Sequence, residues 1–159
     1  MVRYLALALA GLIAACSPAP GVSSVDSTGD VSTIAVPGDG GPVMVRVSVD
    51  PADILPGGDQ AVRVIDREGR LALVLDRRSS RPQGMSRCQA GEEVWLRAID
   101  LETRTERYSR RVESCIRDIV SGEPLISWSA DRREVTLNLL SEEPVRLLLG
   151  PDGEVAPAP

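Results

Sequence analysis

The sequence predicts an all-β domain built as a two-layered sandwich, and three observations carry that prediction. Across residues 43–149 apolar side chains recur with a period of two rather than 3.6. Turn-forming residues interrupt them about every ten positions, the spacing of short strands in a sandwich. No window long enough for a stable helix combines an amphipathic pattern with a cap and a stop. This stretch has the size of one domain.

The elements follow in chain order. In Val43–Val49 the valines at 43, 45, 47 and 49 share one face, and Met44, Arg46 and Ser48 share the other, as in a half-buried strand. Residues 61–65 and 70–75 flank Asp66-Arg67-Glu68-Gly69. With Asp first and Gly fourth, that segment suits a type I turn in a hairpin. A second hairpin joins residues 94–101 to 106–113 around a loop at 102–105; this register sets Trp95 opposite Val112 and Ile99 opposite Tyr108. Residues 115–121 suit one short helical turn. Residues 125–128, 134–140 and 145–149 supply three more strands, with Val135, Leu137 and Leu139, then Val145, Leu147 and Leu149, alternating inward. Seven or eight short strands in one domain point to a single immunoglobulin-like β-sandwich, with a small closed β-barrel as the runner-up. The order strand, Asp50-Pro51, Pro56-Gly57-Gly58, strand, Asp66 to Gly69 resembles the opening of secreted bacterial immunoglobulin-like modules.

The flanks differ in composition. Of the 26 residues at 17–42, 16 are Gly, Pro, Ser or Thr, which cannot bury a core and reads as a flexible tether. Within it, Val31, Ile34 and Val36 are compatible with a short edge strand. Residues 150–159 are again rich in Pro, Gly and Ala and read as a disordered tail.

At the start, Arg3 precedes an apolar run at 4–13. A membrane helix needs about 20 apolar residues, so this run is too short to span and fits the middle of a secretory signal. It ends in Ile13-Ala14-Ala15-Cys16. The stretch resembles the signal peptide of bacterial lipoproteins, whose motif is an aliphatic residue, two small residues and a cysteine. The resemblance implies cleavage after Ala15, so that residues 1–15 are removed, and a lipid on the Cys16 thiol, the best nucleophile among side chains. With two or more acyl chains the membrane becomes a permanent partner. Ser17 in place of aspartate implies, by the enteric version of the family, the outer membrane, facing the periplasm.

Composition agrees with a protein of the cell envelope. The chain contains 18 Arg and no Lys, His or Phe, with Asn138 as its one Asn. Depletion of AT-rich codons implies a GC-rich genome, and arginine clusters then say little about anion recognition. Loss of residues 1–15 leaves 17 Arg against 23 acids, a balance that does not seek nucleic acid. Cys88 and Cys115 lie just outside the two ends of the second hairpin and are expected to pair in an oxidising compartment. There is no Cys-x-x-Cys and no His to complete a zinc site, so neither metal nor other cofactor is expected. Asp50, Asp53 and Asp59 lack the spacing of a calcium loop and suit turns instead.

Without His or Lys, most nucleophilic and general-base mechanisms disappear together. The pairs Glu92-Glu93 and Glu142-Glu143 read as solvated charges at strand edges, because neighbouring side chains on a strand point to opposite faces. No enzyme is expected. Arg77, Arg78, Arg81 and Arg87 form one arginine group, while Arg104, Arg107, Arg110, Arg111 and Arg117 form another around the second hairpin. Arg104, Arg107 and Arg111 form a candidate interaction surface for an anionic polymer or an acidic envelope protein; their plain reading is a soluble outer face. The expected function is a non-catalytic binding or structural role. The alternative is a lipoprotein that inhibits an exogenous hydrolase, a protease or lysozyme, through a rigid loop at 77–87.

Overall fold

The structure, a computed structural model, describes residues 30–158 except 83 and 85. Ala15, Cys16 and residues 17–29 of the tether lie outside the described residues. Ten strands follow in order: β1 (Asp30–Val36), β2 (Val43–Val49), β3 (Gln60–Glu68), β4 (Leu71–Ser79), β5 (Glu92–Asp100), β6 (Thr105–Ser114), β7 (Ser121–Trp128), β8 (Glu134–Leu139), β9 (Val145–Leu149) and β10 (Val155–Pro157). They form a six-stranded sheet, β1-β2-β6-β5-β4-β3, and a four-stranded sheet, β10-β9-β8-β7. The protein is all-β, and its two sheets pack face to face.

Two apolar cores lie on the two faces of β4 and β5. On one face Leu73, Leu75, Val94, Leu96, Ala98 and Val112 meet Val135, Leu137, Leu139 and Leu147 of the smaller sheet. On the other, Ala72, Val74 and Ile99 meet Ile34 and Val36 of β1 and Val45, Val47 and Val49 of β2. In a flat sheet β1 and β4 would stand about 19 Å apart, four strand spacings. Their shared core therefore requires the larger sheet to curl into a half-barrel, with β2 meeting β6 in parallel only at Arg46 and Thr105. This explains why every residue of β4 from Leu71 to Asp76, and of β5 from Glu93 to Asp100, is buried.

Several local expectations change. Within the stretch that composition reads as a tether, residues 30–36 form the edge strand with which Val31, Ile34 and Val36 are compatible, pairing with β2 along their whole length from Asp30–Val49 to Val36–Val43. Backbone pairing to a neighbour with a buried face outweighs their weak composition. The tail likewise contributes β10, where Val155, Ala156 and Pro157 pair with Leu149, Leu148 and Leu147. The first hairpin turns tightly through Gly69 and Arg70, with Gly69 at φ 56°, and Asp66 belongs to β3 next to a bulge. In the second hairpin the loop is residues 101–104, with Arg104 at φ 57° and the Asp100 side chain accepting the backbone N–H groups of Glu102 and Thr103. Trp95 then pairs with Arg111, Ile99 with Glu106 and Ala98 with Tyr108, because two bulges shift the register. Residues 115–118 form a turn closed by the bridge between Ser114 and Ile119 rather than a helix. Among the described residues the single helical element is the 3₁₀ turn Ser86–Cys88.

Cys88 and Cys115 are bonded, with their Cα atoms 5.7 Å apart. Gly91 makes room for the crossing: a Cβ there would lie 2.7 Å from that of Cys115. Breaking this bond with Cys88→Ser and Cys115→Ser together is expected to cost about 3–4 kcal/mol on the chain-entropy account of a loop this long. Urea unfolding of the double variant against the oxidised parent measures it, and an unchanged midpoint would remove the bond from any account of stability.

Candidate functional site

Where both faces of β4 and β5 are covered, from Leu71 to Asp76 and from Glu93 to Asp100, charged side chains must meet partners inside. Arg97 and Asp76 are both fully buried. Arg97 donates through Nε to Asp76 Oδ2 at 3.0 Å, and through Nη1 to Ser109 Oγ at 3.1 Å and to Glu106 Oε1. Asp76 also accepts from Arg78 Nε and from Gln60 Nε2, each at 3.1 Å. Arg78 continues to Ser32 Oγ at 3.0 Å, and Glu106 Oε2 accepts the Ser48 N–H at 2.9 Å. Ser32 is on β1, Ser48 on β2, Gln60 on β3, Asp76 and Arg78 on β4, Arg97 on β5, and Glu106 and Ser109 on β6. One network of two carboxylates and two guanidiniums thus touches all six strands of the curled sheet.

Trp95 links this network to a second one. The guanidinium carbons of Arg97 and Arg111 stand 5.5 and 4.8 Å from its ring centre. Arg111 lies between two acids: it donates to Asp53 Oδ2 and stands 3.3 Å from Glu93 Oε2. Glu93 Oε1 accepts from Ser80 Oγ at 2.9 Å and from the Ile116 N–H at 3.3 Å. Arg117 donates to Asp53 at 2.8 Å and to Asp50 at 3.2 Å. Three buried atoms, Arg78 Nη2, Arg97 Nη2 and Glu93 Oε2, lack an aligned hydrogen bond. Each nevertheless stands within 3.0–3.3 Å of an opposite charge, so none is an uncompensated ion.

Two further groups tie the ends. Asp100, buried at the loop of the second hairpin, receives both Arg70 and Arg107. Trp128 of the smaller sheet donates Nε1–H to Asp66 of β3 at 2.7 Å, while Arg132 stacks 4.4 Å over its ring and binds Asp66 and Glu68. Burial pushes the carboxyls of Asp53, Asp66 and Asp100 up, but hydrogen bonds from arginines, backbone N–H groups and the Trp128 indole more than offset it, so all three lie below the ordinary 3.8. Charged at any ordinary pH, they are fixed anions rather than proton donors.

The sequence-level candidates fall in different places. Arg104 is exposed in the loop, and Arg107 pairs with Asp100. Arg111 is mostly buried against Trp95, so the three do not form one basic stripe. Along the face of β6 expected to be wet, Arg107 and Ser109 are exposed while Arg111 and Glu113 are half-buried. Glu93, expected at a solvated edge beside Glu92, is fully buried, whereas Glu92 is exposed and pairs with Arg77. Of the three loop aspartates, Asp50 and Asp53 face arginine, and among the described residues no cluster of acids or cysteines is arranged to hold a metal ion. The alternation rule missed Arg97, Asp76 and Arg78. The signal for them was present in near-continuous apolar runs, Leu71 to Leu75 and Val94 to Ile99, each interrupted or followed by a charge.

An open groove of about 650 Å³ beside the disulfide is lined by Arg87, Cys115, Asp118, Ile119 and Val120 among others, and by none of Asp53, Asp76, Glu93 or Arg97. No family model, curated protein or solved structure matches this chain.

Carboxylates whose folded pKa is depressed stabilise the fold above their unfolded pKa, and that contribution is lost as pH falls through the folded value. The urea midpoint is accordingly expected to stay level from neutral pH to roughly pH 5 and to fall below about pH 4. In Asp100→Asn the protein is less stable at neutral pH and its acid decline is shallower. An acid decline identical to that of the parent would dissociate Asp100 from the effect.

Proposed function

We propose that this protein is a lipid-anchored component of the bacterial cell envelope, held through Cys16 in the outer membrane and facing the periplasm, where its β-domain binds or supports rather than catalyses. One observation carries the reading most directly. Of three cysteines, Cys88 and Cys115 are joined to each other, and the one left is Cys16, at the end of Ile13-Ala14-Ala15-Cys16. A structural disulfide belongs to an oxidising compartment, so the domain and the leader argue independently for export.

The non-catalytic role draws on the electrostatics. The buried carboxylates described above face arginine, and Asp53 and Glu93 have Arg111 between them. A pair of free acids for proton transfer is thus replaced by a neutralised bridge. For a partner in the envelope, an acidic protein or an anionic polymer, one accessible basic contact is at Arg46 and Arg104, which line an open groove with Met44 and Glu106.

Mass spectrometry of the protein from its native envelope tests the anchor. The expected N-terminus is Cys16 carrying a diacylglyceryl group, and Cys16→Ser should leave the membrane fraction with the leader still attached. An intact, unmodified leader on a cytosolic parent protein would overturn the reading.

A further inference from the structure

From two arginines without an ion-pair partner and two exposed apolar side chains gathered in one groove, we infer that the outer face of the β1–β2 hairpin is a binding site for an extended acidic segment of another protein. This rests on the reading of the domain as an envelope module that binds, and it names the class of partner. In β2 the side chains of Val45, Val47 and Val49 turn inward, so Met44, Arg46 and Ser48 form the outward row. The register sets Ala35 opposite Met44, Thr33 opposite Arg46 and Val31 opposite Ser48. On the other side of β2, β6 begins at Thr105, which pairs with Arg46 and brings Arg104 alongside. Two open grooves result, of about 560 and 420 Å³. Both are lined by Met44 and Arg104; the first adds Val31, Arg46 and Glu106, so the two adjoin as one trough alongside β2.

The trough carries positive charge that the domain itself does not neutralise. Arg46 and Arg104 are exposed, and among the described residues neither forms an ion pair, although the arginines around them do. The acids at its border are already engaged: Asp39 by Arg67, and Glu106 by Arg97 and the Ser48 N–H. Residues 31–36 and 43–48 contain no acid. In a chain with more acids than arginines, two cations left facing outward together call for carboxylates from a partner.

The apolar side chains select the kind of carboxylate carrier. Met44 and Val31 are each 55% exposed within the trough. A polymer of sugar acids or phosphates brings charge but no apolar side chain to cover them, whereas a peptide brings both. Met44 and Arg46 stand about 7 Å apart along β2, the repeat of alternate residues in any extended chain. A segment laid along β2 therefore sets an apolar residue over Met44 and, two positions on, an acid over Arg46, with a further acid toward Arg104.

The test measures capture of the full lipidated protein, in detergent micelles, on immobilised short peptides whose alternate positions read acid, apolar, acid with serine between. Control peptides replace the apolar residues by serine or the acids by lysine, and polygalacturonate and polyphosphate serve as soluble competitors. The acid and apolar peptides are expected to bind best. Arg46→Glu and Arg104→Glu should each weaken that binding about tenfold or more, because like charges then face each other. Met44→Ser should reduce the advantage of the apolar peptides over the serine ones. Arg63→Glu, at an exposed arginine on β3 that also lacks an ion pair among the described residues, should leave capture unchanged. Urea unfolding of each variant verifies its fold. Capture that is absent, or that is indifferent to Arg46→Glu and Arg104→Glu, overturns the site. Binding of the two polymers without binding of the peptides overturns the acidic segment and leaves the envelope reading standing. Mass spectrometry of the same preparation reads the lipid on Cys16, and its absence overturns the anchor alone.

Discussion

The buried pair of Arg97 and Asp76 is the constraint on which the larger sheet depends. Both side chains lie wholly inside, on strands whose opposite faces are occupied by the apolar core shared with the smaller sheet. Neither has a route to water, so each must be compensated by the other and by the groups around them. Most of those groups lie on neighbouring strands, but the bond from Arg78 on β4 to Ser32 on β1 joins strands that a flat sheet would keep far apart. Curling brings them within hydrogen-bond reach, and the same curl buries Ile34, Val36, Val45 and Val47 against Ala72, Val74 and Ile99. Apolar burial supplies the driving force and has no direction; the ion network supplies direction and admits one closure.

Arginine suits this task for reasons of shape. A guanidinium offers five donors in a plane and stacks on aromatic rings, so Arg97 reaches an aspartate, a glutamate and a serine while lying over Trp95. Arg132 does the same at the junction between sheets, over Trp128 and between Asp66 and Glu68. A lysine presents three donors from one point and would leave part of each group unpaired. The absence of Lys, read from the sequence as a codon habit, thus coincides with an interior that uses the fork-shaped cation repeatedly.

Where one strand face is wet and the other dry, the sequence was readable. The valines of β2 and the alternating residues of β8 and β9 are buried as their period requires. The disulfide was legible because its cysteines flank a hairpin. Three kinds of feature were not. Bulges at Val94/Trp95 and Ala98/Ile99 move the register without altering the hydrophobic pattern. The edge strand β10 was read as tail and is held by pairing to β9, which is information stored elsewhere in the chain, whereas β1 left a trace in Val31, Ile34 and Val36. Arg111 and Glu93 read as solvent-facing because alternation identifies two faces but does not reveal that Asp53, Ser80 and Ile116, from connections between strands, close over the second. Of the candidate residues, Arg104 and Arg107 are exposed, Arg107 against Asp100, and only Arg111 is drawn inward beside Trp95.

Internal ion pairs and a disulfide together close the domain. The central claim is that Arg97 and Asp76 act as one unit, and a double-mutant cycle between them in urea unfolding measures it most directly. Removing one member of a buried pair costs about 3–5 kcal/mol because the other charge is stranded, whereas replacing both by apolar residues of similar volume costs far less. Arg97→Met and Asp76→Leu are therefore expected each to destabilise strongly, and their combination to be more stable than either alone. Additive losses would show that the two side chains act independently and would contradict the account.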